Sequence, residues 1–358
     1  MEHQNYLIWK TPSQKKYCVP FRLYFPSVES FRGAGFKLLL IMKLTCFTTT
    51  GLQAQDAEFS QFYAAPLHLN PAFAGVGTGP RVVLNYRNQW PELNNAFITY
   101  DLSYDQEVKA LQGGIGIELL SDHLSNNLVS LNSANFSYSY QIGLSRNFGL
   151  KAGMGIGFSQ YRLHPDLLVF GGQIDPLSGS VNSTGGDPLP ATDSRTYMDV
   201  NAGALLYSKR FFMGIAAKHL TKPNISFYNN DATVPLRLAA NFGYQINLKK
   251  KSSLTPDVLY AEQGKFHQIN AGAYLKISDV FGGIFYRNTN NTGDALIFML
   301  GLQHDFFRFG YSYDWTLSDL TGVSGGAHEL SIIFNYHDSK KAAQKPNWDH
   351  FTQCPVIF

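Results

Sequence analysis

In the stretch ANFSYSYQI, Phe136, Tyr138, Tyr140 and Ile142 are apolar, and Asn135, Ser137, Ser139 and Gln141 between them are polar. A period of two marks a strand with one greasy and one wet face. The same period runs through PLRLAANFGYQIN, where Leu236, Leu238, Ala240, Phe242, Tyr244 and Ile246 form the apolar set. It recurs over 96–104, 111–119 and 330–336. In FGYSYDWT it places four rings, Phe309, Tyr311, Tyr313 and Trp315, on one side, with Ser312 and Asp314 on the other. Counted along the chain, the pattern predicts about fourteen strands. They fall near 80–87, 95–105, 111–121, 128–142, 146–162, 196–208, 211–219, 234–247, 252–262, 266–277, 280–288, 294–303, 305–315 and 327–337. Alternation is least clean over 280–303, and no helical period of useful length interrupts the series.

The connections give a second signal. Long, turn-rich segments (88–94, 163–195, 220–233, 316–326) fall on odd places in the order and tight turns such as GLSRN and SKR on even ones, with the short 263–265 as the exception. An outer-membrane barrel has this asymmetry, with short periplasmic turns and longer outer loops. Many strands have the roughly 9–11 residues that cross a bilayer at a tilt. The expected fold is therefore an all-β transmembrane antiparallel barrel of about 14 strands, in preference to a soluble sandwich. An even strand number leaves both chain ends on one side.

Composition fits that picture. Charged residues are 15% of the 358 and aromatics 14%, against roughly 25% charged in ordinary soluble domains. A net charge of +3 gives no case for nucleic acid. FKLLLIM, 36–42, is too short for a spanning helix, but with Lys37 near its start and small residues leading to Ala54 the region has the layout of a secretory signal. The expected domains are 1–54, an upstream segment and signal that is removed; 55–79, an N-terminal periplasmic or plug segment; 80–337, the barrel; and 338–358, a periplasmic tail. Of Cys18, Cys46 and Cys354, only the last would survive cleavage, leaving no internal disulfide.

Searches for reactive chemistry return little. HELSI at His328 has Ile332 where a zinc helix needs its second histidine. GMGIGF lacks the dinucleotide-loop spacing, and its alternate glycines suit close packing of a strand. Asp175 and Asp187 fit no calcium loop, and His68, His219, His267 and His304 read as isolated. No catalytic, cofactor-binding or metal site is expected, and no enzyme activity or cofactor. What remains is positional. A lumen polar network is expected from Arg87, Asp101, Glu118, Arg237, Asp314 and Glu329, with Asp257 on the same face. Arg87 would pair with Asp101 or Glu118, and Asp314 and Glu329 with His328, or with Arg87 across the closure. Phe59, Phe62, Tyr63, Asn70, Pro71 and Phe73 would plug the lumen or line its rim, because such rings are costly to leave in water. Phe309, Tyr311, Tyr313 and Trp315 would face lipid, with Trp315 near the outer interface.

Several segments together resemble the PorP/SprF family of outer-membrane proteins linked to type IX secretion in Bacteroidetes. They are QDAEFSQFYAAPLHLNPAFAG after the signal, NYRNQWP, DLSYD, GIGIELLSDHLS, GYSYDWTLSDL, SGGAHELSIIFNY and the closing CPVIF. Gly326-Ala327-His328 departs slightly from the family's Gly-Ser-His. The resemblance implies an outer-membrane barrel, embedded in outer-membrane lipid, that binds, helps export or anchors a secreted protein through its C-terminal sorting domain. A large adhesin, as in gliding motility, is one such cargo, and periplasmic or peptidoglycan-binding components of type IX secretion are further partners. A passive or substrate-specific channel is the alternative reading.

Overall fold

The computed structural model describes residues 55–336, apart from 78, 94–96, 146–147, 176, 182–189, 191, 229–230, 249–250, 291 and 319–320. The expected signal, the expected C-terminal tail, the three cysteines and Asp187 lie outside the described residues.

Fifteen strands form one sheet: β1 (Arg81–Gln89), β2 (Phe97–Val108), β3 (Gly113–Leu124), β4 (Val129–Gly143), β5 (Gly149–Leu163), β6 (Ser194–Tyr207), β7 (Phe211–Lys218), β8 (Arg237–Tyr244), β9 (Ile246–Asn247), β10 (Ser252–Gln263), β11 (Phe266–Ile277), β12 (Val280–Thr289), β13 (Thr292–His304), β14 (Phe307–Thr316) and β15 (Ala327–Asn335). The two-residue β9 continues β8 past a break at Gln245, and both pair with β10, so the wall has fourteen strands. Each is antiparallel to its sequence neighbours. The ring closes where β1 pairs with β15 from Arg81–Asn335 to Gln89–Ala327. Closure removes every free edge, which a sheet in hydrocarbon requires.

Pleating turns the two-residue period into two surfaces. Leu300, Met154, Ile284, Phe136, Phe158 and Ile215 are among the large apolar side chains exposed on the outside. One rim carries only tight connections, 109–112, 144–148, 208–210, 248–251, 278–279 and 305–306. The long segments 90–96, 164–193, 219–236 and 317–326 all lie on the other. We call these the short-turn and long-loop rims.

The lumen is filled. Residues 59–76 are buried throughout, folded into a helical turn at Phe62–Ala64, a short helix at Pro66–Leu69 and another turn at Pro71–Phe73. Pro66 and Pro71 begin two of these, where a missing N–H costs nothing, and Asn70 caps the last by accepting from Ala72 N at 2.8 Å. This segment adds a pass through the barrel that the even strand number did not predict. Strands β1 and β15 do begin and end at the short-turn rim, but Asp56 meets His219 and Gln263 at the long-loop rim. Gly75 meets Asp105 at the short-turn rim. The chain therefore runs the length of the lumen before it enters the wall.

The inner face is also less polar than the sequence implied. Phe281 and Phe285 of β12 and Ile297 and Met299 of β13 are buried inward, where Phe62 lies 5.6 Å from Phe285 and Tyr63 5.9 Å from Phe281, both edge-on. With apolar residues on both faces, 280–303 cannot alternate cleanly.

Candidate functional site

The threaded segment is held at three levels. Nearest the long-loop rim, Asp56 faces His219 Nε2 at 2.9 Å, and Asp199 of β6 faces Nδ1 of the same ring at 2.7 Å. Asp56 also exchanges two hydrogen bonds with Gln263, and Glu58 pairs with Arg237. Burial opposes a charge on His219, but the two carboxylates outweigh it and raise its pKa to about 9. Burial likewise opposes a charge on Asp56, yet His219, Lys218 and Arg237 hold its carboxyl far below the usual range.

Just below, Ser60 sits at a junction of four wall strands. Its hydroxyl accepts from Arg87 and Arg287, each at 2.6 Å, and donates to Asp314 at 2.6 Å. Arg87 bridges Asp314 and Glu329, both at 3.0 Å, and Arg287 reaches Asp314 at 2.8 Å. Glu329 accepts from the backbone N–H groups of Ser60 and Gln61 at 2.8 Å. Charges this deeply buried need both pairing and hydrogen bonds, and here the threaded segment supplies part of the hydrogen bonding.

In the middle and at the short-turn rim the grip is on backbone and rings. His68 bridges Glu118 and Ala57 O at 3.0 and 2.9 Å. Asn70 donates to Ala204 O and Ile215 O. Ser139 and Lys151 both donate to Ala74 O at 2.7 Å, and Arg81 clamps Asp105 beside Gly75. Gly153 of β5 leaves room for the thread, since a Cβ there would meet Ala72 N at 2.3 Å.

Of the residues singled out from sequence, the structure brings Arg87, Asp314 and Glu329 together at one point and Asp101 and Glu118 together at another. Arg87 does not pair with Asp101 or Glu118; Asp101 accepts from Asn85, Glu118 holds His68 and Asn135, and Arg237 holds Glu58. Sequence order made Asp101 look near, whereas ring closure makes β15 the other neighbour of β1. His328 faces outward to Tyr311 at 2.8 Å and braces neither acid. The histidines are not isolated: His68, His219 and His304 each face a carboxylate. Phe59, Phe62, Tyr63, Asn70, Pro71 and Phe73 are all buried in the lumen. Phe309, Tyr311, Tyr313 and Trp315 occupy the outer face of β14, with Trp315 at its long-loop end. Asp257 is buried and faces inward. Sequence reasoning missed Asp56, Ser60, Gln61, Arg81, Asp105, Lys151, His219 and Arg287. The alternate glycines 153, 155 and 157, which face inward, were the available sign that something else fills the lumen.

At the long-loop mouth a cleft of about 60 Å³ remains above Asp56, bordered by Asp122, Tyr161, Tyr197 and His219. Around it the loop 164–193 exposes Leu167, Val169, Ile174, Leu177 and Val181. A single-sheet wall, apolar outside and packed inside by its own N-terminal segment, is a plugged membrane β-barrel.

The chain belongs to the type IX secretion system membrane protein PorP/SprF family, whose profile matches residues 51–334. None of the curated proteins matches it. Among solved structures, the Ralstonia pickettii toluene transporter TbuX is similar at 10% identity and TM-score 0.49, over 76% of this chain and 94% of that one. A Pseudomonas aeruginosa FadL homologue is similar at 12% identity and TM-score 0.40, over 72% and 90%. The barrel and its secretion-system family point to the outer membrane and to interaction with secretion components and cargo.

Proposed function

We propose that this protein is a sealed, non-catalytic outer-membrane barrel that holds a secreted protein at its long-loop mouth. The cargo is a secreted protein or large adhesin gripped through its C-terminal sorting domain, and the short-turn rim meets periplasmic or peptidoglycan-binding components of the secretion system. The observation that carries this reading is the thread. A segment tied to the wall by buried ion pairs at one rim and by backbone clamps at the other is built to stay, and cargo then has only the mouth to hold. There the apolar loop 164–193 and the loops 219–236 and 317–326 offer a rim suited to strand addition or groove binding.

The test is to purify the tagged protein from its native membrane and identify what accompanies it. A large secreted protein in stable amounts, lost when Leu167, Val169 and Leu177 become serine, is the expected result. Recovery of the barrel alone, together with strong ion conductance in a planar bilayer, would replace this reading with that of a channel.

A further inference from the structure

Three carboxylates line the cleft above Asp56 at the long-loop mouth, and their situations differ. Asp56 and Asp199 both face the His219 ring. Asp122 of β3, 7% exposed, has no ion pair among the described residues. One of its oxygens accepts from Thr99 Oγ1 at 2.7 Å, and the other has no partner among the described residues. His123, next in the chain, turns away from the cleft to Ser121 and Asn127. A carboxylate this buried, held by one neutral donor, is short of a cation.

A second, independent observation points to a ligand. Lys218, the last residue of β7, lines the same cleft and is 8% exposed. Its ammonium makes no hydrogen bond or ion pair among the described residues. Asp56, Asp101 and Glu118 act on it through space, so its charge is balanced while its donors are unused. What Lys218 lacks is an acceptor, and the surrounding acids favour a neutral carbonyl there over an anion. On the strands between the two ends of the cleft stand Tyr161 of β5 and Tyr197 of β6. The Tyr161 ring is stacked on Phe227 of the loop 219–236, 5.5 Å away and 14° from parallel. Such rings hold a cationic side chain against their faces. At about 60 Å³ the cleft admits the end of one side chain, far below the roughly 300–1,000 Å³ of a pocket for a free small molecule.

We infer that this cleft receives a basic side chain of an extended polypeptide. The cationic head sits on Asp122, the stem lies along Tyr161 and Tyr197, and a backbone carbonyl of the same segment accepts from Lys218. The inference deepens the cargo reading and rests on it for the source of the polypeptide, the secreted protein held at the mouth.

NMR saturation-transfer titrations on the detergent-solubilised full barrel test this with acetyl-Gly-Arg-Gly-amide, the same peptide carrying neutral citrulline, and butylguanidinium, which has the cation and no carbonyl. The arginine peptide should bind about ten-fold tighter than the citrulline peptide, as expected when a charge-assisted contact is lost, and several-fold tighter than butylguanidinium. Asp122→Asn should abolish the preference for arginine over citrulline. Lys218→Met should remove the advantage of the peptide over butylguanidinium. The comparison of the two peptides on the wild type decides the matter even where Asp122→Asn does not fold. No binding of the arginine peptide, equal binding of the two peptides, butylguanidinium binding as tightly as the peptide, or an arginine preference that survives Asp122→Asn in a folded barrel would overturn the inference. Purification of cargo separates it from the broader reading. A secreted protein that accompanies wild type and Asp122→Asn alike leaves the cargo reading standing and this one fallen, and an arginine-selective barrel that recovers no cargo does the reverse.

Discussion

Arg87 in β1 and Glu329 in β15 are direct partners in the wall register and lie 3.0 Å apart across the seam that closes the barrel. They are 242 positions apart in sequence, and both also hold Ser60 of the threaded segment. Arg87→Ala would leave Glu329 buried without its cation, and Asp314 with only Arg287 beside it. Breaking a buried pair from one side costs about 3–5 kcal/mol. We expect a marked fall in the temperature at which the barrel loses its folded mobility on unheated gels, with a smaller fall for Gln89→Ala in the same strand. Equal melting of Arg87→Ala and wild type would contradict the network's role.

The direction of the thread has a direct chemical test. With Cys354 replaced by serine, single cysteines are placed at Gln55, at Leu177 in the long loop, and at Lys251 on the short-turn rim. Gln55→Cys and Leu177→Cys should react with a membrane-impermeant maleimide on intact cells, and Lys251→Cys only after permeabilisation. If position 55 instead labels together with 251, the chain does not traverse the lumen.

His219 links the thread to the wall through a charge, so the upper contact depends on pH. Its pKa is raised, from an ordinary 6.5 to about 9, so its contribution is complete below about pH 6.5 and fades as pH climbs through about 9. Asp56 has the opposite sign, and its contribution fades only in strong acid, below the ordinary carboxylate value. Protection of the Asp56 amide in hydrogen exchange, corrected for intrinsic rate, should hold across neutral pH and drop above about pH 9. In His219→Gln that upper drop should vanish, leaving protection low throughout.

Gly153 gives a way to disturb the plug while leaving the lipid-facing surface alone. Gly153→Val adds bulk where a Cβ already meets Ala72 N at 2.3 Å. The outer face of β5, with Met154, Ile156 and Phe158, is unchanged. The variant should still insert and run as a folded barrel, yet show conductance well above the wild type in a planar bilayer. A variant as silent as the wild type would mean the thread adapts without opening a path.

Much of the wall was legible because one physical constraint, opposite solvents on the two faces, acts at every residue. In β4 the outward Phe136, Tyr138 and Tyr140 and the inward Ser137 and Ser139 state the strand and the facing of its side chains in nine letters. The site was harder to read. Periodicity tells which face Arg87 takes but not which of thirteen other strands supplies its partner, since closure joins residues far apart in the chain. The rings of Phe62 and Tyr63 pointed to burial, but Phe281 and Phe285 then looked like strand noise, because a plugged lumen needs apolar residues on its inner side too. Ser60 and Gln61 carry no pattern, being chosen for where one hydroxyl and two N–H groups fall among charges supplied by β1, β12, β14 and β15.

The Ser60 junction has a consequence for how the barrel is made. The acids and arginines that meet there come from β1, β12, β14 and β15, so they span the seam, and the thread supplies part of their hydrogen bonding. A ring that closed empty would seal with Glu329 lacking the two N–H groups that now hold it and with two arginines sharing no hydroxyl. Closing the seam and seating the thread at Ser60 therefore favour one another, and a finished circumference is most stable around a filled lumen.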